Sequence, residues 1–150
     1  MKRPGYLLLE ILCAVALMSV LLGVVIVRFG DGNKRLQEQQ LNMAARRFIT
    51  ECRRVQQYNM YAKFGNRLGI TYGIGNNYFL IEETGQPAEK YKFADEGCGD
   101  IVFASEGEIY LSPLGSVDAS DYITLKHRDN PELNLILNLQ PVTGRLEVDE

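Results

Sequence analysis

One stretch near the N-terminus constrains this chain more than any other. From Tyr6 to Val27 the sequence is apolar except for Glu10 and Ser19. At about 1.5 Å per residue, a helix of that length covers the roughly 30 Å hydrocarbon core of a bilayer. The run therefore predicts a membrane-spanning helix, which we assign to residues 6–29.

Basic residues on either side of the run bear on its orientation. Lys2 and Arg3 precede it, and by the positive-inside rule they place the N-terminus in the cytoplasm. Arg28, Lys34 and Arg35 follow the run and reduce the contrast. The sequence predicts a single-pass protein of the inner (cytoplasmic) membrane with an extracytoplasmic C-terminal domain.

Three simpler interpretations of the run explain less. A cleaved signal peptide has an apolar stretch of about 7 to 15 residues, and this run is longer. A lipidation site at Cys13 requires a small residue beside the cysteine, where this chain has Ile11 and Leu12. A plain signal anchor explains the length and the basic flank but gives no reason for Glu10, because a carboxylate inside a membrane helix costs a few kcal/mol.

The residues around Glu10 form a motif after a short basic leader: Gly5-Tyr6-Leu7-Leu8-Leu9-Glu10. It resembles the processing site of type IV prepilins, in which the leader ends in glycine, an aromatic residue follows, and glutamate stands at the fifth mature position. Family members usually carry Phe where this chain has Tyr6 and Thr where it has Leu7.

The resemblance implies how the chain is processed and assembled. A prepilin peptidase that is also an N-methyltransferase would remove residues 1–5 by cleavage between Gly5 and Tyr6, and would methylate the new amino group of Tyr6. Glu10 would then pair with the terminal ammonium group of a neighbouring subunit in a filament. Other implied partners are further pilins or pseudopilins, the membrane, and an inner-membrane assembly platform driven by a cytoplasmic ATPase.

The segment 30–64 is predicted to be an amphipathic helix that continues the spine of a pilin. Gly30-Asp31-Gly32-Asn33 either ends the first helix or forms a flexible joint. Beyond it, apolar residues recur at helical spacing at Leu41, Ala45, Phe48, Cys52, Val55 and Ala62. We interpret this stripe as a core face packed on a sheet, with a two-chain coiled coil as the alternative, which Asn59 would interrupt.

The remainder, 65–150, is predicted to be a β-rich globular domain. The predicted strands are Leu68 to Tyr72, Tyr78 to Glu82, Lys90 to Phe93, Ile101 to Ala104, Tyr122 to Lys126, Leu133 to Leu139 and Arg145 to Val148. No helical segment separates these strands, so we expect an α+β fold in which the long N-terminal helix packs on an antiparallel β-sheet.

A second resemblance lies in the last third of the chain. It rests on four segments in this order: Ile101-Val102-Phe103, Ser112-Pro113-Leu114-Gly115-Ser116, Ile123-Thr124-Leu125 and Val142-Thr143-Gly144-Arg145-Leu146. This order is similar to the globular domain of minor pseudopilins of type II secretion and competence systems. The two resemblances together imply a structural subunit of such a filament.

The sequence offers little for catalysis. The single histidine, His127, stands between Lys126 and Arg128 and is interpreted as a surface residue. Cys52 and Cys98 form the candidate disulfide pair of the exported domain, and neither has a second ligand at zinc-site spacing. We therefore expect no enzyme activity, no metal site and no cofactor.

The charge bears on nucleic-acid binding. The formal net charge is −3, and it becomes about −5 once the leader is removed. That balance argues against a general nucleic-acid surface, although DNA uptake would predict a basic patch, for which the candidates are Lys63, Arg67, Lys126 and Arg128.

The alternative function is a membrane-anchored binding module that does not polymerise. Its candidate surface is a set of tyrosines: Tyr58, Tyr61, Tyr72 and Tyr78.

Overall fold

The structure is a computed structural model that describes residues 4–61, 68–83, 86–112, 116–117, 121–140 and 143–148. The side chains of residues 4–7, 25–31 and 121 lie outside that description. The chain divides into two compact units, Met1–Leu36 and Gln37–Glu150, which are described separately below.

The first unit consists of the N-terminal part of helix α1, whose bounds are Pro4–Tyr61. The backbone is helical at 30–33, so the helix breakers there do not end the helix. Among the described residues, no helical stretch has the length and hydropathy required to span a membrane. The predicted span, 6–29, includes residues at both ends whose side chains lie outside the description.

The second unit begins with the rest of α1. The predicted apolar stripe is confirmed along this part of the helix, where the buried positions include Leu41, Ala45, Phe48, Cys52 and Val55. They pack in one core with side chains from the strands, which confirms the core-face interpretation. The described part of the helix reaches Tyr61, and the predicted end at Phe64, like Ala62, lies outside the described residues.

Antiparallel strands make up the rest of the second unit, together with a 3-10 turn at Phe93–Glu96. The strands are β1 (Leu68–Tyr72), β2 (Tyr78–Glu83), β3 (Glu89–Lys92), β4 (Ile101–Phe103), β5 (Gly107–Tyr110), β6 (Asp121–His127), β7 (Asn134–Leu139) and β8 (Leu146–Val148). They form two four-stranded sheets in the described part of the chain: sheet A in the order β3-β2-β1-β5 and sheet B in the order β4-β6-β7-β8.

The α+β class with antiparallel pairing is confirmed, with two differences from the prediction. Strand β5 was not predicted, because its sequence, Gly107-Glu108-Ile109-Tyr110, contains one buried apolar residue, Ile109. The strands also separate into two sheets, which their individual patterns do not indicate.

Phe48 is the point where α1 and both sheets meet. Its ring makes edge contacts with Phe79 of sheet A at 5.1 Å and with Phe103 of sheet B at 5.3 Å between centroids. A third edge contact, at 6.0 Å, reaches Tyr72 of sheet A. Edge-to-face pairs of this kind add to the effect of burial, so Phe48 couples the three elements directly.

The turn before β2 connects the two sheets through the backbone. The Gly75 N–H donates to the carbonyl of Phe103 at 2.8 Å, and the Phe103 N–H donates to the carbonyl of Asn76 at 3.0 Å. Gly75 has φ of 76°, a left-handed conformation that glycine adopts without strain. This turn thus also holds β4 of sheet B against sheet A.

Asn59 is a buried polar residue on α1 that joins the helix to sheet A. Its amide nitrogen donates to the carbonyls of Leu68 at 2.8 Å and Leu111 at 3.0 Å. Its amide oxygen accepts the N–H of Leu68 at 2.8 Å. The side chain therefore satisfies backbone groups at the start of β1 and just after β5.

We expect Phe48→Ala to lower the free energy of unfolding by about 3–5 kcal/mol, because it removes a fully buried ring and leaves a cavity between helix and sheets. Urea unfolding of the full chain, followed by near-ultraviolet circular dichroism, measures the change. Met43→Ala is the matched control, since Met43 is 48% exposed on the same helix. Equal losses for the two variants would contradict the central position of Phe48.

We expect Asn59→Ala to destabilise the second unit by about 2–3 kcal/mol, because backbone groups of Leu68 and Leu111 lose their partner. The control is Asn42→Ala, which removes an exposed amide that donates to the Glu38 carbonyl of its own helix. Hydrogen exchange at the Leu68 amide should accelerate in the Asn59 variant alone, and unchanged exchange there would refute the assignment.

Candidate functional site

The sequence-predicted assembly residue, Glu10, lies in the first unit on an apolar surface. Every described side chain from 8 to 24 is exposed, and Glu10 is the one ionisable carboxylate among them. The large apolar side chains exposed there are Leu8, Leu9, Ile11, Leu12, Val15, Leu17, Met18, Val20, Leu21, Leu22 and Val24. Ser19 donates its hydroxyl to the Val15 carbonyl at 2.8 Å, so this polar group is satisfied within the helix.

Glu10 differs from Ser19 in this respect. Across the described side chains, no hydrogen bond or ion pair joins the Glu10 carboxylate to another residue of the chain. Among its described side chains, the surface at 8–24 therefore presents one acidic group, without a partner in the chain, within an apolar surface.

The predicted cleavage and methylation positions lie at the start of α1. Gly5 and Tyr6 belong to the helix by their backbone, and the side chain of Tyr6 lies outside the described residues. Cleavage after Gly5 and methylation of Tyr6 remain predictions.

The candidate disulfide residues, Cys52 and Cys98, are both buried and both carry free thiols. Burial raises the pKa of each thiol, and the neighbouring carboxylates of Glu51 and Glu96 raise the pKa of Cys52 and of Cys98 respectively. A thiol held in its protonated form is a poor nucleophile, so these cysteines behave as small core residues in this structure.

A charged cluster on α1 was not anticipated from the sequence. The Glu51 side chain is 7% exposed and forms ion pairs with Arg47 at 3.1 Å and with Arg54 at 2.7 Å. Arg47 also pairs with Glu96 at 3.2 Å. The spacings of four and three residues on one helix are a signal from which the two pairs with Glu51 could have been predicted.

Tyr91 of β3 completes this cluster, and no local pattern points to it. Arg54 donates to the Tyr91 hydroxyl at 2.6 Å, and the guanidinium groups of Arg47 and Arg54 lie 5.9 and 5.5 Å from the ring centre. The ring stacks on Phe79 at 5.4 Å. The cluster thus ties an edge strand of sheet A to α1, and its charges are matched internally.

The four tyrosines of the alternative binding surface do not lie together. Tyr72 is buried in the core, and Tyr78 lies on sheet A beneath the Lys90 ammonium group, 3.4 Å from its ring centre. Tyr58 and Tyr61 are exposed and share a shallow depression of about 560 Å³, which is lined by Arg54, Gln57, Tyr58 and Tyr61.

The interpretation of His127 as a surface residue is wrong. The side chain is 2% exposed, because β6 directs alternate residues into the core and His127 follows Ile123 and Leu125 in that alternation. Its Nδ1 atom accepts the backbone N–H of Asp129 at 3.2 Å. His127 is therefore a structural residue at the end of a strand.

The residues of the proposed basic patch are only partly described. Lys63 and Arg67 lie outside the described residues, and Arg128 is exposed at the end of β6 beside the partly buried Lys126. The structure does not bring the four together within its described part.

Neither metal-ligand geometry nor similarity to known proteins points to a function for this chain. In the described ranges, no group of three or more His, Cys, Asp or Glu side chains is arranged to hold a metal ion. Comparisons with protein-family models, curated proteins and solved structures find no match to this chain.

The hydrogen bond between Tyr58 and Glu83 leads to a testable prediction about the pKa of Tyr58. The Tyr58 hydroxyl donates to the Glu83 carboxylate at 3.1 Å, and this bond raises the pKa of Tyr58 above its ordinary value, as does the carboxylate charge. The hydrogen bond is therefore fully formed at pH values below the ordinary tyrosine pKa, and it is lost as the pH rises through the raised pKa of Tyr58. Glu83→Gln should move the pKa of Tyr58 back toward about 10.

Titration of ring-labelled tyrosine by NMR measures this shift, with Tyr58→Phe to assign the signal. Tyr110 is an internal control, because a different carboxylate, Glu108, raises its pKa. A Tyr58 titration unchanged by Glu83→Gln would show that the bond is not formed in solution.

Proposed function

We propose that this protein is a minor pilin-like (pseudopilin) subunit, processed after Gly5 and assembled through its N-terminal helix into a type IV pilus, type II secretion or competence filament. The N-terminal segment anchors the chain in the inner membrane before assembly, and the C-terminal unit lies on the extracytoplasmic side. The protein acts as a structural subunit and needs no cofactor.

One feature of the first unit supports this function above all others: the carboxylate of Glu10 on an exposed apolar helix. A contiguous apolar surface of this size is unfavourable in water and requires lipid or other apolar helices around it. Glu10 is unfavourable in that same environment unless it is paired. A partner that brings both an apolar helix and a positive charge satisfies the two requirements together.

Processing creates that partner. Cleavage after Gly5 produces a terminal ammonium group on Tyr6, located near the start of an equivalent helix in another subunit. Pairing it with Glu10 neutralises both charges in low dielectric, and the pairing distance fixes the axial register of two subunits. A subunit inserted in the wrong register leaves two unpaired charges in an apolar environment and is rejected.

The other proposed partners follow from this mode of assembly. A prepilin peptidase with methyltransferase activity acts on Gly5 and Tyr6, and an inner-membrane platform with a cytoplasmic ATPase supplies the work of extraction from the bilayer. Further pilins or pseudopilins surround the helix in the filament.

The second candidate function is an anchored binding module. It is favoured by the depression at the end of α1, where Tyr58 and Tyr61 are exposed beside Arg54. A substitution of Glu10 by an apolar residue distinguishes the two functions. A module that only needs an anchor gains from this change, whereas an assembling subunit loses its register.

Co-expression with a prepilin peptidase tests the proposal. We expect the extracted protein to lack Met1 to Gly5 and to begin with Tyr6 carrying one added methyl group, as measured by intact mass and N-terminal sequencing. A chain left uncut by a peptidase that processes a reference prepilin would refute the proposal and leave the anchored module.

Substitution of Glu10 tests assembly separately from processing. Glu10→Leu should remain cleavable and membrane-bound but should be lost from sheared filaments by about tenfold or more, because the ammonium group is left unpaired. The matched control is Ser19→Leu, which removes a polar group that already bonds within its own helix. Normal incorporation of Glu10→Leu would contradict the role of this carboxylate.

A further inference from the structure

The two buried cysteines of the second unit lie at different levels of α1. Cys52 belongs to the helix itself, on the apolar stripe. Cys98 follows the 3-10 turn, and the carbonyl of its neighbour Gly97 accepts a hydrogen bond from the Gln40 side chain at 3.1 Å. Burial is the largest influence on the pKa of Cys98 and raises it, while a hydrogen bond with the Ala44 backbone lowers it. Cys98 is therefore held beside the turn of α1 that contains Gln40 and Ala44.

The length of helix between Gln40 and Cys52 keeps the two cysteines apart. These positions differ by twelve residues, which is about 18 Å at the helical rise. An extended Gln40 side chain, its hydrogen bond and one peptide unit reach at most about 11 Å from the Gln40 Cα to the Cys98 Cα. At least about 7 Å therefore remains between the Cα atoms of Cys52 and Cys98. A disulfide requires about 4.4–6.8 Å between these atoms, so the fold does not accommodate this bond.

Contacts of the 3-10 turn keep Cys98 from moving along the helix. The Phe93 ring at the start of the turn is buried and lies 5.4 Å from the ring of Phe103. The Cys98 N–H donates to the Phe93 carbonyl at 3.0 Å. At the other end of the turn, Glu96 pairs with Arg47 of α1 at 3.2 Å. A shift of the turn toward Cys52 would break these contacts together.

The proposed function puts the second unit on the extracytoplasmic side of the membrane, where disulfides form and persist. An unfolded chain exposes both thiols to oxidation in that environment. We propose that the second unit folds only while Cys52 and Cys98 are both reduced, and that a disulfide formed between them before folding holds the chain in a non-native state. This inference rests on the proposed function, because a chain exposed only to a reducing environment does not meet the oxidant.

The oxidation is a thiol–disulfide exchange with a disulfide-bonded oxidant. One cysteine thiolate attacks a sulfur of the oxidant, forms a mixed disulfide and releases one oxidant thiolate. The other cysteine thiolate attacks the protein sulfur of that mixed disulfide, which forms the Cys52–Cys98 bond and releases the second oxidant thiolate. The cysteines lose two electrons and two protons, and the oxidant becomes two thiols. In the folded unit the exchange does not begin, because both thiols are buried and burial raises the pKa of each.

Refolding of the full chain in detergent micelles tests the inference. Cys13 is replaced by Ala in every sample, so that Cys52 and Cys98 are the only thiols. The chain is unfolded in urea and oxidised with glutathione disulfide, and the species lighter by two hydrogen atoms is isolated and diluted from urea. We expect its native near-ultraviolet circular dichroism signal to be about tenfold or more below that of the reduced chain, and to return after reduction with dithiothreitol.

The matched control is Cys98→Ala, which cannot form the bond. Its fraction without an oxidant adduct, carried through the same steps, should refold as the reduced chain does. A disulfide that suits a fold stabilises it by restricting the unfolded chain. An oxidised chain that regains the native signal, or that resists urea better than the reduced chain, would therefore overturn the inference.

Alkylation of protein extracted from the membrane examines the chain as it exists after export. We expect iodoacetamide to modify Cys52 and Cys98 only after unfolding in urea, as measured by peptide mass spectrometry, because both thiols are buried in the folded unit. A peptide pair linked through Cys52 and Cys98 in the folded protein would contradict the inference.

The outcomes separate this inference from the proposed function. If Gly5 is cleaved and the assembled filaments contain the Cys52–Cys98 bond, the function stands and the inference fails. If the bond prevents folding in a chain that is left uncut by a peptidase active on a reference prepilin, the requirement for reduced cysteines stands and the filament proposal fails.

Discussion

The second unit depends on the burial of one face of α1 against two sheets. A single apolar core joins the helix to both, and Phe48 contacts aromatic rings from each of them. An antiparallel sheet with one apolar face must bury that face against another element, and the helix stripe provides the common surface for both sheets. The order and spacing of the apolar residues on α1 therefore determine how the strands can be arranged.

Two polar residues beside this stripe make the arrangement specific. Glu51 is buried between two arginines, and Asn59 is buried among backbone groups of sheet A. Apolar contacts alone would tolerate a small shift or rotation of the helix. Either movement would leave a buried carboxylate or amide without partners, at a cost of several kcal/mol for the charged group, so both residues restrict the helix to one register.

The sequence predicts the elements better than their assembly. The stripe from Leu41 to Val55 and most of the strands were predicted, because helical and strand periods are local properties of the chain. Strand β5 was missed, since its place in sheet A depends on pairing with β1, and the burial of His127 depends on its position in β6. Tyr91 could not be associated with Arg54, because the two residues are 37 positions apart in the sequence and only the fold brings them together.

The distribution of charge suggests how the proposed assembly divides its energetics. A buried ion such as Glu51 must be paired within the chain, because the removal of an unpaired charge from water costs several kcal/mol. Exposed charges remain solvated at little cost, and at a contact with a partner they contribute orientation and association rate more than affinity. The apolar surface at 8–24 is the larger source of affinity, since its large apolar side chains are exposed and are unfavourable in water. A subunit built in this way would be held chiefly by its N-terminal helix, whose apolar contacts a change in salt leaves largely intact.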